Sequence, residues 1–367
     1  MHLFGKQYTR QQFLERVGTV NQVGGTRRCR LEDGRTTGTA AIEVDTGAGL
    51  RFTVLPDRGL DILQASYRGT NLAYLTPNGG AHPAYYEPGG MGWLRTFFAG
   101  LLTTCGLTYM GNPGKDGDVD LGLHGRATVT PARQVCDRSG WDGDEYRIEL
   151  TGVIEEWMLF GDKLRLTRTI STSLGATSLT VTDVVENFGY APAPFTILYH
   201  INPGFPLLDE GSEVILSAGS TAPCDDYSAP RMATMREFSA PVHGFPEENY
   251  LHTMAADAGG RAHAALVNRT LDGGLGLYAS FDASTLPLLN EWKMLGPGEY
   301  VLGMEPCNAP CENRAVLREK GLLPMLEPGE TRTMQVEIGV LAGNEAIEAF
   351  AETIASVCTP SGTVPAK

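Results

Sequence analysis

Residues 195–206 read FTILYHINPGFP. The alternation is that of a strand. Phe195, Ile197, Tyr199 and Ile201 would face one way, toward a core, and Thr196, Leu198, His200 and Asn202 the other. Pro203, Gly204 and Pro206 then end the ladder, because proline cannot donate to it. An imidazole at the rim of a strand, beside a stiff turn, is well placed to move a proton. The same pattern also suits a polar pair on a solvated face.

Working outward, strand patterns continue on both sides. GRATVTPARQV (125–135), YRIELTGVIEEWMLF (146–160), KLRLTRTIST (163–172) and SLTVTDVVENF (178–188) precede the stretch, with Gly161-Asp162 expected to close a type II′ hairpin. AHAALVN (262–268), LGLYASFD (275–282), LPLLNEWKM (286–294), YVLGMEP (300–306) and TRTMQVEIGVL (331–341) follow it. Further upstream, TGTAAIEVDTG (37–47) and LRFTVLP (50–56) flank a glycine turn. Residues 77–118 read as a long insertion with one short helix at 93–103, and 220–262 as a Pro-rich excursion. Strand–helix–strand alternation is missing, which predicts large antiparallel sheets packed as one β-sandwich.

Thr9 and Gln12 have capping-box spacing for an opening helix at 9–17. Asn344 caps a closing helix whose apolar face is Ile347, Phe350, Ile354 and Val357. The expected organisation is an N-terminal helical or irregular segment (1–34), the β-sandwich (35–342), a C-terminal helix (343–358) and a flexible tail (359–367).

The chain has 367 residues, 42% of them hydrophobic, and a net charge of −14. Acidity without a Lys/Arg run argues against nucleic acid or an anionic membrane as partner. No start resembling a signal peptide and no membrane-length apolar run is seen. Seven scattered cysteines suggest reduced thiols and a cytoplasmic protein. A homodimer is left open.

Two other segments carry chemistry. LGLHGRATV places His124 before Gly125, and YVLGMEPCNAP ends a strand on Glu305, whose backbone Pro306 keeps extended. Two histidines and a glutamate at strand ends form an acid–base set. To open a sugar hemiacetal, the anomeric hydroxyl must lose a proton while the ring oxygen gains one. A carboxylate suits the first task and a histidine the second, with no cofactor. The same three groups could instead hold a metal, although HxH and HExxH spacings are absent. Arg58, between Asp57 and Asp61, and Arg95 are candidate donors to a ligand; Trp93 and Trp292 are candidate flat faces for a sugar ring.

These motifs resemble those of the aldose 1-epimerases, the galactose mutarotase-like superfamily, and more closely its branch of uncharacterised members grouped as a domain of unknown function. The resemblance spans residues 35–342 and implies a large β-sandwich, a supersandwich. It implies His200 as general acid, from ENFGYAPAPFTILYHINPG, and Glu305 as general base, from GMEPCNAP. His124 in LGLHGRA, Arg58 or Arg95, Asn202, Trp93 and Trp292 would hold a monosaccharide. The chain departs from the family where Asn202 follows the acid histidine, and in having no clear substrate aspartate; Asp209, Asp225 and Asp226 are candidates. The implied activity is interconversion of α and β anomers. A metal-dependent sugar isomerase or epimerase on the same scaffold, or a carbohydrate-binding protein without catalysis, stays open beside it.

Overall fold

The computed structural model describes residues 1–358. The tail expected to be flexible lies outside the described residues.

Alternation of buried and exposed side chains builds two large antiparallel sheets. One has eleven strands and includes Leu102–Leu107, Thr196–Ile201, Glu299–Cys307, Leu288–Gly296 and Glu248–Met254. The other has nine and includes Glu145–Trp157, Lys163–Ser173, Ser178–Asn187, Leu275–Asp282 and Thr331–Ala342. Period-2 burial is plain in Lys163–Ser173, where Leu164, Leu166, Arg168 and Ile170 point inward. Side chains from both sheets, such as Ile197, Tyr199 and Ile201 against Leu166, Val181 and Val336, merge into one core.

An arginine sits in that inward row. Arg168 is fully buried and forms ion pairs with Asp183 and, on the other sheet, with Asp61 at 2.8 Å. The Tyr199 hydroxyl donates to Asp183 at 2.7 Å and Thr104 donates to Asp61 at 2.6 Å. The network satisfies every charge it buries, which is what such a cluster requires. It ties the strand carrying His200 to the opposite sheet.

The opening helix follows its cap: Thr9 and Gln12 form the capping box of Arg10–Leu14, shorter than expected. The closing helix, Asn344–Cys358, starts on Asn344 rather than after it; the Gly343 carbonyl accepts from Ala346 and Ile347, and the Asn344 side chain donates to the Arg269 carbonyl. Four other expectations need correction. The helix expected at 93–103 is a short 3-10 turn, Gly92–Arg95; Leu102–Leu107 is instead a central strand, buried on both faces. A strand with no solvent face has no polar alternation to reveal it. Within 220–262, Ala218–Pro223 and Glu248–Met254 are paired strands at one edge of the sheet. Residues after His124 turn into a 3-10 helix, Ala127–Val129. The hairpin at Gly161-Asp162 is wider: Trp157 pairs with Lys163, and Phe160, not Gly161, takes the left-handed conformation.

No helix among the described residues is long and apolar enough to cross a membrane.

Candidate functional site

The strand Thr196–Ile201 divides its side chains as the alternation predicts. Ile197, Tyr199 and Ile201 enter the sandwich core; Leu198 joins a second apolar cluster on the other face, and His200 lies on that face too. Glu299–Cys307 runs antiparallel to it, with Ile201 opposite Met304. Glu305 therefore reaches the same face, and its Oε1 lies 3.1 Å from His200 Nε2. Gly303 permits this: a Cβ there would overlap the Glu305 carboxylate. On the next strand Asn290 stands directly opposite Glu305 and donates to its Oε2 at 2.8 Å.

His124 arrives from a turn. Its φ is 56°, its N–H donates to the Gly111 carbonyl at 2.9 Å, and its own carbonyl accepts from Gly106 at 3.1 Å. Gly125 follows at φ 74°, and a Cβ on it would overlap the carbonyl oxygens of Tyr109 and Gly106. Rings enclose the two histidines. Trp93 stacks on Phe97 at 4.5 Å and meets His124 edge-on at 4.8 Å; Trp292 meets His200 at 5.5 Å; the two imidazoles are 6.1 Å apart.

These groups line a cavity of about 650 Å³, a size suited to a small organic ligand. His200 and Glu305 are 5% and 2% exposed. His200 Nδ1 and Glu305 Oε1 have no hydrogen-bond partner among the described residues. Leaving buried polar atoms unpaired costs about 1–3 kcal/mol each, so such atoms mark places where a ligand completes the bonding. Burial pushes the Glu305 carboxyl up to about 8, against the Asn290 hydrogen bond that lowers it. Burial holds His200 down to about 3, with the neighbouring His124 adding to the effect, and His124 down to about 4. The buried pair is thus favoured uncharged, with the proton on the carboxyl.

Of the residues singled out from sequence, His124, His200, Glu305, Trp93 and Trp292 meet at the cavity. Three do not. Arg58 is fully buried and its guanidinium donates to the carbonyls of Thr128, Ala81 and Thr96 at 2.7, 2.7 and 3.0 Å; it fixes loops. Arg95 points to solvent and pairs with Glu87 at 3.2 Å. Asn202 is buried and does not line the cavity; it donates to the carbonyls of Ala99, Gly100 and His200. Asp225 lines the cavity; Asp209 and Asp226 do not. His200 and Glu305 are in contact, so no sugar ring fits between them, and a ligand must lie over the pair.

Sequence reasoning missed Asn290 and Glu247. Asn290 shares a strand face with Trp292, two residues on, and that spacing was a usable signal. Glu247 accepts from Trp292 Nε1 at 2.9 Å across 45 residues, which no local pattern encodes. Among the described residues, no three His, Cys, Asp or Glu side chains are grouped so as to hold a metal ion.

Solved structures share the fold. An aldose 1-epimerase candidate from Klebsiella pneumoniae is 24% identical, with a TM-score of 0.86 over 94% of this chain and 96% of that one. A galactose mutarotase-like protein from Clostridium acetobutylicum is 14% identical, with a TM-score of 0.60 over 87% and 99%. The galactose 1-epimerase of Lactobacillus acidophilus is 14% identical, with a TM-score of 0.55 over 88% and 100%. The architecture is therefore the galactose mutarotase-like β-sandwich. No curated protein matches the chain. A family model described as a domain of unknown function, DUF4432, matches residues 36–340, and the chain belongs to that family.

Proposed function

We propose that the protein is a carbohydrate-active isomerase, an aldose 1-epimerase that interconverts the α and β anomers of a monosaccharide. The observation that carries this reading is the buried contact of His200 with Glu305 at 3.1 Å, each with an unpaired polar atom, in a cavity walled by Trp93 and Trp292. The names of the structural neighbours agree with it.

In the uncharged pair the carboxyl is the donor. Glu305 protonates the ring oxygen as the bond from that oxygen to the anomeric carbon breaks. His200 takes the proton of the anomeric hydroxyl, whose electrons form the aldehyde. Rotation about the bond to the next carbon and closure in reverse give the other anomer and restore both groups. These roles are exchanged relative to those the sequence resemblance implies. Donation from Glu305 requires its proton, so the rate falls as pH rises through about 8. His124 and the tryptophan faces position the ring.

The test is anomer exchange followed by NMR on a panel of aldoses. Glu305→Gln and His200→Asn are each expected to lower the catalysed rate by about 10²–10⁴-fold. Unchanged rates in both variants would remove the assignment. Saturable sugar binding with no exchange by the wild type would leave only a binding protein.

A further inference from the structure

The cavity lacks a cation. No lysine or arginine among the described residues lines it. Arg58 and Arg95, the two arginines expected there, bond to loop carbonyls and to Glu87 instead. Its charged lining is carboxylate: Asp225, Glu247 and Glu312 toward the opening, with the proton-bearing Glu305 inside. Glu312 has a counterion, Lys320 at 2.7 Å. Asp225 and Glu247 have no ion-pair partner among the described residues. Asp225 Oδ1 accepts the Ser228 N–H at 2.7 Å, and Glu247 Oε2 accepts the indole N–H of Trp292 at 2.9 Å, so each carboxylate is held in place with a second oxygen left over.

The fields of these groups overlap inside the site. The Cys224 thiol, on the cavity wall, is pushed up to about 11 by burial and then by Asp225, Glu305 and Glu312. After burial, the charge of Glu247 is what raises the Glu305 carboxyl. Glu305 Oε1, on a side chain only 2% exposed, accepts no hydrogen bond among the described residues and has only His200 Nε2, at 3.1 Å, beside it, and His200 Nδ1 likewise makes no hydrogen bond at this cavity. A phosphate or uronate would meet like charge, which disfavours binding strongly in a confined site. An uncharged sugar would leave the carboxylate field unanswered.

We propose that the cavity takes a sugar bearing a protonated amine, an aminodeoxy aldose, with Asp225 and Glu247 receiving the ammonium group. This rests on the cavity being a sugar site, as the reading above has it. Ammonium–carboxylate hydrogen bonds are among the stronger ones available, and the amine supplies selectivity that hydroxyls alone would not.

The experiment is calorimetric titration of the full chain at pH 6.5 in low salt, with 2-amino-, 3-amino- and 6-amino-deoxyhexoses, their N-acetyl forms, the parent hexoses and hexose 6-phosphates. At least one amino sugar should bind about tenfold more tightly than its parent and its N-acetyl form. Added salt should reduce that preference, and in Asp225→Asn with Glu247→Gln the amino sugar should bind no more tightly than its parent hexose measured on the same variant; Gln still accepts from Trp292. A parent hexose or a 6-phosphate binding as tightly as every amino sugar overturns the proposal, as does an amine preference that survives in the double variant. Binding is read separately from turnover. Amine-selective binding without anomer exchange would sink the epimerase reading alone, and exchange on neutral sugars with no amine preference would sink this one alone.

Discussion

Tyr199 and His200 are consecutive on one strand and act on opposite faces of it. The Tyr199 hydroxyl donates to the buried Asp183 at 2.7 Å inside the sandwich, while His200 Nε2 lies 3.1 Å from Glu305 in the cavity. The strand is thereby fastened from behind where it presents its imidazole in front. Preorganisation of that imidazole depends on the ion network across the core, Arg168 with Asp183 and Asp61.

That dependence gives a first expectation. Asp183→Asn leaves Arg168, 0% exposed, with half its counter-charge. Breaking a buried pair from one side costs about 3–5 kcal/mol. Denaturant unfolding should show a loss of that size, and a stability within about 1 kcal/mol of wild type would contradict the structural role.

A second expectation concerns pH and stability. Glu305 is raised from 4.5 to about 8 by burial, so the folded protein keeps a proton that the unfolded chain releases. Its contribution is complete below pH 4.5 and is lost as pH rises toward 8. His200 and His124 are lowered from 6.5 to about 3 and about 4, again by burial. Their contribution is complete above pH 6.5 and is lost as pH falls. The opposing slopes overlap between pH 4.5 and 6.5, and from 6.5 to 8 the Glu305 decline stands alone among the three, at up to roughly 1.4 kcal/mol per pH unit. Glu305→Gln should remove that decline. Unfolding free energies measured at several pH values should diverge in favour of the variant from pH 6.5 to 8; parallel curves would show that burial does not govern this carboxyl.

Strand faces were legible because period-2 burial is written locally: Phe195, Ile197, Tyr199 and Ile201 read as core, and they are. His200 and Glu305 were each legible as strand-end groups. Their contact was not, because it depends on pairing between strands about a hundred residues apart, and no local periodicity carries that register. Leu102–Leu107 escaped for the opposite reason: with both faces buried, it shows no alternation. Arg58 was misread for a third. Flanked by Asp57 and Asp61, it read either as their ion-pair partner or as a fork of donors for a ligand, yet Asp57 accepts from Ala40 and Asp61 serves Arg168 and Thr104. Three carbonyls from distant loops meet Arg58 instead, and a carbonyl leaves no side-chain signature.

The reassignment of Arg58 makes a third expectation. Lysine keeps the charge but cannot present a planar fork to the carbonyls of Thr128, Ala81 and Thr96 at once. Arg58→Lys should cost roughly 2–4 kcal/mol of stability, from lost charged hydrogen bonds and carbonyls left buried. The variant that remains folded should bind sugar as the wild type does. A selective loss of sugar affinity with unchanged stability would restore Arg58 to the binding role expected from sequence.

The turn that presents His124 supplies the last expectation. Gly125 sits at φ 74° with the carbonyl oxygens of Tyr109 and Gly106 where a Cβ would be, and its backbone bridges to Gly106 on the central strand Leu102–Leu107. Both obstacles belong to backbone, so neither can rotate away, and the left-handed conformation adds roughly 1–2 kcal/mol for any L side chain. Gly125→Ala must therefore shift the turn. His124 would then leave its place 4.8 Å from Trp93, and the cavity wall would open. Anomer exchange should fall by at least about tenfold in folded protein, and the tryptophan fluorescence from Trp93 should change with it. His124→Phe fills the same wall without moving the backbone, so it should keep the fluorescence near wild type while losing the imidazole. If Gly125→Ala alters neither rate nor fluorescence, the position of His124 is not set by this close approach.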